Sequence, residues 1–462
     1  MRDKRKSAPQ GLNIIIVGAG KVGYNLVEQL SREGHDITII DQDPVRIQDI
    51  TNLYDVMGYV GNGASYTTQK EAGIADADLI IAVTDSDELN LLCCTIARQF
   101  EGCASIARVR TPDYSREVGY LREKLGLALI INPELEAARE MARVLYLPTA
   151  LEVNSFAHGQ AEMVKFKIPE GNILDGMSVA QLGADITNDI LICGVERGGE
   201  VNIPSGNFVL KAGDLISVVS TRKGSKYFLN AVGFNTKQVK NAMLVGGGRS
   251  AYYLAEQLLH AGISVKIIEK DRERCEKLTT LLPRAIIING DGSNPDLLKE
   301  EGIEEAEAFV PMTGIDEENV VLTLHAKQVS KAKIITKINR LGFSNVFNNM
   351  DLGSVIYPKY ITSETIIAYV RARTAASGSK IETLYHLFDM RAEAIEFKVT
   401  EESEVTGIPL RDLKLRSNLL ISFIFREGQL IIPTGGDIIR ANDTVMIVTT
   451  NTGFNDIKGI LK

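Results

Sequence analysis

Residues 14–41 read IIIVGAGKVGYNLVEQLSREGHDITIID, and residues 242–269 read AMLVGGGRSAYYLAEQLLHAGISVKIIE. Each stretch is an apolar run, a glycine-rich turn, a helical pattern, a second apolar run and an acid. That order is the dinucleotide-binding fingerprint. Short runs of Ile, Leu and Val read as parallel strands buried on both faces. In the first copy Gly18 makes the tight turn, Gly20 lets the backbone approach a diphosphate, and Gly23 lets the helix pack close to the strand. Ala19, Lys21 and Val22 complete the turn, whose amides and helix dipole favour an anion. Asp41 closes the second strand, where an acid accepts hydrogen bonds from a ribose 2′-hydroxyl and repels a 2′-phosphate. That choice favours NAD(H) or an adenosine nucleotide over NADP(H).

The duplication extends well beyond the turn. Gly18 and Gly246 lie 228 residues apart. GNGAS at 61–65 answers GDGSN at 290–294, AVTDSDELN at 82–90 answers PMTGIDEEN at 311–319, and IARVR at 106–110 answers ITKIN at 335–339. Three landmarks at an offset of 229, beside the glycine turns at 228, indicate an internal repeat rather than a chance glycine motif. Further on, VKFKIPEG (164–171) matches IEFKVTEE (395–402). VERGGEVNIPSGNFVLKAGDLISVVST (195–221) matches IFREGQLIIPTGGDIIRANDTVMIVTT (424–450). Their apolar alternation with Gly and Asp at turns predicts short antiparallel strands. The expected class is α/β: two tandem repeats, each a Rossmann-like parallel-sheet lobe followed by a small α+β lobe. The expected boundaries are 11–132, 150–235, 239–358 and 380–462. Helices beginning at Pro133 and Pro358 are expected to connect the lobes.

The second copy departs from the first. Gly246, Gly248 and Arg249 stand where Gly18, Gly20 and Lys21 stand, and Ala251 replaces the third glycine. Glu269 replaces Asp41 with a longer reach. Asp291 lies where Asn62 lies, at the end of the third strand, where either would meet an adenine or ribose edge. Occupied and purely structural readings of this second site stay open.

Arg108 and Arg110 close a further strand at the ligand crevice. Read as alternating along a regular strand, they are expected to point to opposite faces, so that at least one reaches the phosphates; surface ion pairs or subunit contacts are the competing role. Their counterparts are Lys337 and Asn339, so the first site is the more basic. Thr84, Asp85, Asp87, Glu88 and Asn90 form an acidic helix start, expected as capping residues, with cation binding as the alternative, and Thr84 is also a candidate cofactor-binding residue. Asp214 and Asp443 read as turn formers, and His35 and His260 as C-terminal helix caps.

Composition bounds the rest. The chain has 462 residues, 45% hydrophobic and 24% charged, with net charge −8, which disfavours a nucleic-acid partner. Residues 1–10, MRDKRKSAPQ, lack an apolar core and read as a frayed tail rather than a signal peptide. No apolar run approaches the roughly 18 residues needed to span a bilayer. The five cysteines are not in metal-ligand spacing and read as free thiols. No nucleophile elbow, zinc-protease motif or Walker A lysine is present, so no catalytic residues and no metal ligands are expected.

The glycine turn, Asp41, GNGAS, AVTDSDELN and IARVRTPDY, followed by a β-rich lobe and all repeated, resemble the TrkA family. Its units are called RCK or KTN domains. The resemblance implies a cytoplasmic, non-enzymatic regulatory subunit, peripheral on the inner face of the cell membrane. It implies a TrkH-type potassium-translocating partner and a homo-oligomer, a dimer or a homotetramer forming an eight-lobed ring. NAD(H), or ATP and ADP in the same site, would bind the Rossmann lobes. The alternative is an NAD-dependent dehydrogenase on duplicated Rossmann domains, which would need a proton donor beside the nicotinamide. A cyclic dinucleotide on the small lobes is a further idea carried by fold analogy alone.

Overall fold

The computed structural model describes residues 11–185, 190–340, 346–347, 350–374, 379–388 and 390–462. The basic tail read at residues 1–10 lies outside them. The chain divides into two compact units. One holds the residues up to Glu134 together with Lys359–Val370; the other holds Leu135–Pro358 and Arg371–Lys462.

The first unit carries a six-stranded parallel sheet. Its strands are β1 (Asn13–Val17), β2 (Asp36–Asp41), β3 (Met57–Val60), β4 (Leu79–Ala82), β5 (Ala104–Arg108) and β6 (Leu129–Ile131), in the order β3-β2-β1-β4-β5-β6. This is the doubly wound dinucleotide-binding order, in which the connection reverses beside β1 and opens a crevice at the strand ends. Strand β1 is buried along Ile14–Val17, as a strand covered on both faces must be. The helices are α1 (Lys21–Arg32), α2 (Pro44–Leu53), α3 (Tyr66–Glu71), α4 (Asp87–Ala97), α5 (Pro112–Arg116) and α6 (Val118–Leu125). Helix α7 (Pro133–Tyr146) then runs on into the second unit.

In the second unit the first antiparallel sheet contains β7 (Glu152–Phe156), β8 (Ala161–Lys167), β9 (Leu191–Arg197), β10 (Glu200–Asn202) and β11 (Leu215–Ser220), ordered β10-β9-β11-β8-β7. It carries α8 (Val179–Asp185) and α9 (Arg222–Ala231). The second parallel sheet follows with β12 (Asn241–Val245), β13 (Ser264–Glu269), β14 (Ile286–Asn289), β15 (Ala308–Pro311), β16 (Lys333–Lys337) and β17 (Ser354–Ile356). Its order, β14-β13-β12-β15-β16-β17, repeats that of the first. Its helices are α10 (Arg249–His260), α11 (Arg272–Leu281), α12 (Pro295–Glu300) and α13 (Asp316–Val329); α14 (Pro358–Thr374) follows in the chain, with Lys359–Val370 belonging to the first unit. The last sheet holds β18 (Ser379–Leu387), β19 (Ala392–Val399), β20 (Leu419–Arg426), β21 (Gln429–Ile431) and β22 (Thr444–Thr449), ordered β18-β19-β22-β20-β21. The two antiparallel sheets share one buried core that includes Phe156, Ala157, Met163, Phe388, Phe423 and Met446. No helix among the described residues is long and apolar enough to cross a membrane.

Two expectations hold and go further than the sequence showed, and one needs correction. Asp214 and Asp443 do accept turn hydrogen bonds, from the N–H of Lys211 and of Arg440. They are also almost fully buried and bind Arg197 and Arg426 through paired 2.7–2.8 Å hydrogen bonds. A buried carboxylate needs such a partner, so each holds two strands of its sheet together as well as shaping a turn. His35 follows Gly34, whose φ of +81° ends α1, and caps the helix through its N–H, which donates to the Leu30 carbonyl, while its Nδ1 accepts from the N–H of Leu12. The side chain therefore ties the helix end to the start of β1. The correction concerns the two arginines at the site.

Candidate functional site

The glycine turn is fixed by close approaches. Gly18 has φ of +108°, and a Cβ there would stand 3.0 Å from the amide nitrogen of Thr84. A Cβ on Gly23 would lie 1.9 Å from the Gly18 carbonyl oxygen. Gly20 differs: a Cβ there would meet no atom within 4 Å. It is the N-cap of α1, with no side-chain cap and no acid in the first turn, and Lys21 beside it is exposed. The helix thus begins with uncompensated N–H groups at an open place, the arrangement that receives a phosphate. Val22 and Ala19 are buried, anchoring the turn beneath. Gly248 repeats the geometry as the uncapped N-cap of α10, again with nothing near its Cβ direction, and Ala251 is buried at the place of Gly23.

Asp41 sits at the end of β2 as expected, and it already works inside the chain. Its Oδ2 accepts from the N–H of Ala19 at 2.6 Å and its Oδ1 from Asp43 at 2.9 Å. Glu269 makes the same two contacts, with the N–H groups of Gly247 at 2.6 Å and Asp271 at 2.7 Å. The acid therefore braces the glycine turn, a role the motif alone did not reveal. Each carboxylate oxygen keeps acceptor capacity for a further donor.

Asn62 lies two residues past β3 and is exposed, its Oδ1 accepting from Ala64. Asp291 occupies the equivalent place after β14 and accepts from Ser293 and from Lys270 Nζ at 3.0 Å. Those hydrogen bonds, Ser293 foremost, hold its carboxyl down at about 2. The glycines that follow are tightly placed in both copies: a Cβ on Gly63 or Gly292 would fall 2.2 or 2.3 Å from Val17 or Val245.

The arginine expectation was wrong in direction. Residues two apart on a strand share a face, and β5 ends at Arg108. Both side chains turn to one loop. Arg108 donates to the Thr84 carbonyl at 2.5 Å and to Asp85 Oδ1 at 3.2 Å. Arg110 donates to the Asp85 carbonyl, and its guanidinium stands 3.7 Å from Asp87 and 4.0 Å from Glu134. Burial first, and then the neighbouring Arg110, pull the Arg108 guanidinium below its usual value. Its Nε is buried without a hydrogen-bond partner among the described residues, a donor left for an anion. Thr84 is positioned by the fully buried Asn90, whose Oδ1 accepts from both the Thr84 N–H and hydroxyl. Asn319 holds Thr313 in the same way.

The acidic helix start acts as a support. Asp87 accepts from the N–H of Arg110 and from the N–H and hydroxyl of Thr111. Burial raises its carboxyl, and these hydrogen bonds, led by Thr111, outweigh that and hold it below the usual range. In the second copy Lys337 donates to the Met312 carbonyl, while Asn339 and Arg340 are bound to Asp316. Arg274 sits on the second turn itself, donating from Nε to the Gly247 carbonyl at 2.6 Å. Its counterpart Arg46 is half exposed beside Asp43. Among the described residues no group of three or more His, Cys, Asp or Glu could hold a metal ion.

Fold and site together define a twice-repeated Rossmann protein with nucleotide-type glycine turns. The TrkA-N domain model matches residues 14–133 and 242–358, and the TrkA-C domain model matches 163–233 and 394–462. The chain belongs to the TrkA family. It is 30% identical to the Trk system potassium uptake protein TrkA homolog 1 of Methanosarcina mazei, over 98% of this chain and all of that protein. It is likewise 30% identical to the Trk system potassium uptake protein TrkA of Haemophilus influenzae, over 94% and 95%. The crystal structure of the GsuK RCK domain shares the fold, with TM-score 0.63 at 16% identity, covering 97% of this chain and 93% of that one. The GsuK channel bound to NAD matches with the same score over 97% and 78%.

Proposed function

We propose that this chain is a non-catalytic regulatory subunit of a Trk-type potassium uptake system, sensing nucleotides through its Rossmann lobes. Family membership supports the transport role, and the observation that carries the sensing role is the open, uncapped helix start at Gly20. NAD(H), or ATP or ADP in the same place, would set its phosphates on the amides of Gly20 and the first turn of α1. Asp41 would take the ribose hydroxyls, Asn62 would lie by the adenine side, and Arg108 would offer its buried Nε. The bound nucleotide supplies no chemistry here. It reports the metabolic state by binding one conformation better than another.

The first lobe is the preferred site. In the second, Arg274 lies on the turn and Lys337, Asn339 and Arg340 are committed to internal partners. The partner in this reading is a TrkH-type membrane subunit, with several chains assembled at its cytoplasmic face. A nucleotide shifts transport only through differential affinity for two assembly states, and the membrane partner must change nucleotide affinity in return.

The direct test is calorimetric titration of the purified chain with NADH, NAD, ATP and ADP, beside Asp41→Ala. Binding at one site per chain, lost in Asp41→Ala, supports the reading. Absence of binding by all four nucleotides overturns it.

A further inference from the structure

The two antiparallel lobes meet through a contact that occurs twice, because each lobe offers a hairpin tip and a receiving strand. The tips are Ala157, between β7 and β8, and Phe388, between β18 and β19. They occupy equivalent places and share the same left-handed backbone, with φ of +48° and +51°. The receiving positions are equivalent too: Gly194 on β9 and Phe423 on β20, with Lys165 on β8 and Glu396 on β19.

The two copies of the contact are opposites. In one, the large Phe388 enters where Gly194 has no side chain; a Cβ on Gly194 would stand 2.8 Å from its ring. Lys165 Nζ lies 4.8 Å from that ring's centroid, a cation on an aromatic face. Arg391 closes the contact on Glu196 and the Gly199 carbonyl. In the other copy the tip is the small Ala157, and the bulk comes from Phe423, whose ring centroid lies 6.2 Å from that of Phe156. Glu396 there accepts a buried 2.7 Å hydrogen bond from the Ala157 N–H. All of these apolar residues lie in one core.

From this swapped arrangement of knob and hole we infer that each small lobe accepts the other kind of lobe and rejects a copy of itself. Two copies of the second lobe would set Phe388 against Phe423, with a Glu396 carboxylate where Lys165 now meets the ring. Arg391 would face Phe425, which stands at the position of Glu196. Two copies of the first lobe would set Ala157 against Gly194 and leave a void on each side. Interiors tolerate neither overpacking nor voids. The small-lobe surface is therefore specified for the pairing of unlike lobes, and like lobes of neighbouring chains do not assemble through it.

Two substitutions in the full chain recreate the forbidden contacts. Gly194→Phe gives the large-on-large contact of two second lobes, and Phe388→Ala gives the small-on-small contact of two first lobes. Phe is compatible with the strand position, since Phe423 occupies its counterpart, and Ala is compatible with the tip, as at Ala157. Each single variant is expected to lower the thermal unfolding midpoint by more than about 5 °C. The double variant Gly194→Phe with Phe388→Ala makes this contact a copy of the other and is expected to regain most of the loss. Should Gly194→Phe alone fail to fold, folding of the double variant is the same result. A double variant no more stable than the worse single one overturns the inference.

Discussion

Gly20→Ala separates binding from folding. A methyl group at Gly20 meets no atom within 4 Å, and the residue's φ of −70° suits any side chain. Alanine is a poorer N-cap than glycine, so the stability cost is up to about 1 kcal/mol. That corresponds to a fall of roughly 2–4 °C in the unfolding midpoint of a domain of this size. The effect on a diphosphate is larger, because the methyl stands where the phosphate must approach the turn. Charge-assisted hydrogen bonds contribute about 1.5–3 kcal/mol each. Losing two weakens binding by about 3–6 kcal/mol, on the order of a hundredfold to ten-thousandfold. Calorimetry with NADH at fixed ionic strength, beside thermal unfolding, reads both quantities. Affinity within about threefold of the parent would refute the placement of the phosphates, since a threefold change is only about 0.7 kcal/mol.

Other outcomes follow from the same geometry. Gly23→Ala places a methyl 1.9 Å from the Gly18 carbonyl oxygen, so it should destabilise the first lobe by about 1–3 kcal/mol even without nucleotide, measured by denaturant unfolding. Asp214→Ala removes the buried acceptor of Arg197 and Lys211 while leaving the part-exposed Arg197 free to meet water, and should cost about 1.5–3 kcal/mol. Burial raises the Asp214 carboxyl, but hydrogen bonds from Arg197 and Lys211 outweigh it and hold the group below its usual value. Its contribution is therefore complete above the unfolded carboxylate range near pH 4 and disappears as the pH falls through the lower folded value; acid unfolding curves of parent and variant should converge there. Burial pushes the Cys93 thiol up to about 12 and the Cys94 thiol higher still. A thiol-specific reagent should thus modify the half-buried Cys103 in the folded protein and reach Cys93 and Cys94 only on unfolding.

The glycine turns, the acids and the doubling were legible in the sequence because each is a local pattern of strand, turn and helix. The antiparallel lobes were legible as paired segments for the same reason. What escaped was set by contacts across sequence distance. The Arg197–Asp214 and Arg426–Asp443 pairs each span 17 positions and join separate strands. The inward turn of Arg108 and Arg110 depends on a loop more than 20 residues earlier, and their common direction follows from strand geometry that was misjudged. Arg274 on the second turn gave no signal, since arginine at the start of a helix is ordinary in a sequence. The shared core of the two small lobes joins residues such as Phe156 and Phe423, which only the fold brings together.

We propose that nucleotide on the first Rossmann lobe alters potassium uptake. The measurement that tests it most directly is potassium flux into vesicles carrying a TrkH-type subunit, with this chain added, with and without NADH, NAD, ATP or ADP. The expected flux changes with nucleotide for the parent chain and stays constant for Gly20→Ala. A flux indifferent to nucleotide in the parent, or an equal response in both chains, would contradict it.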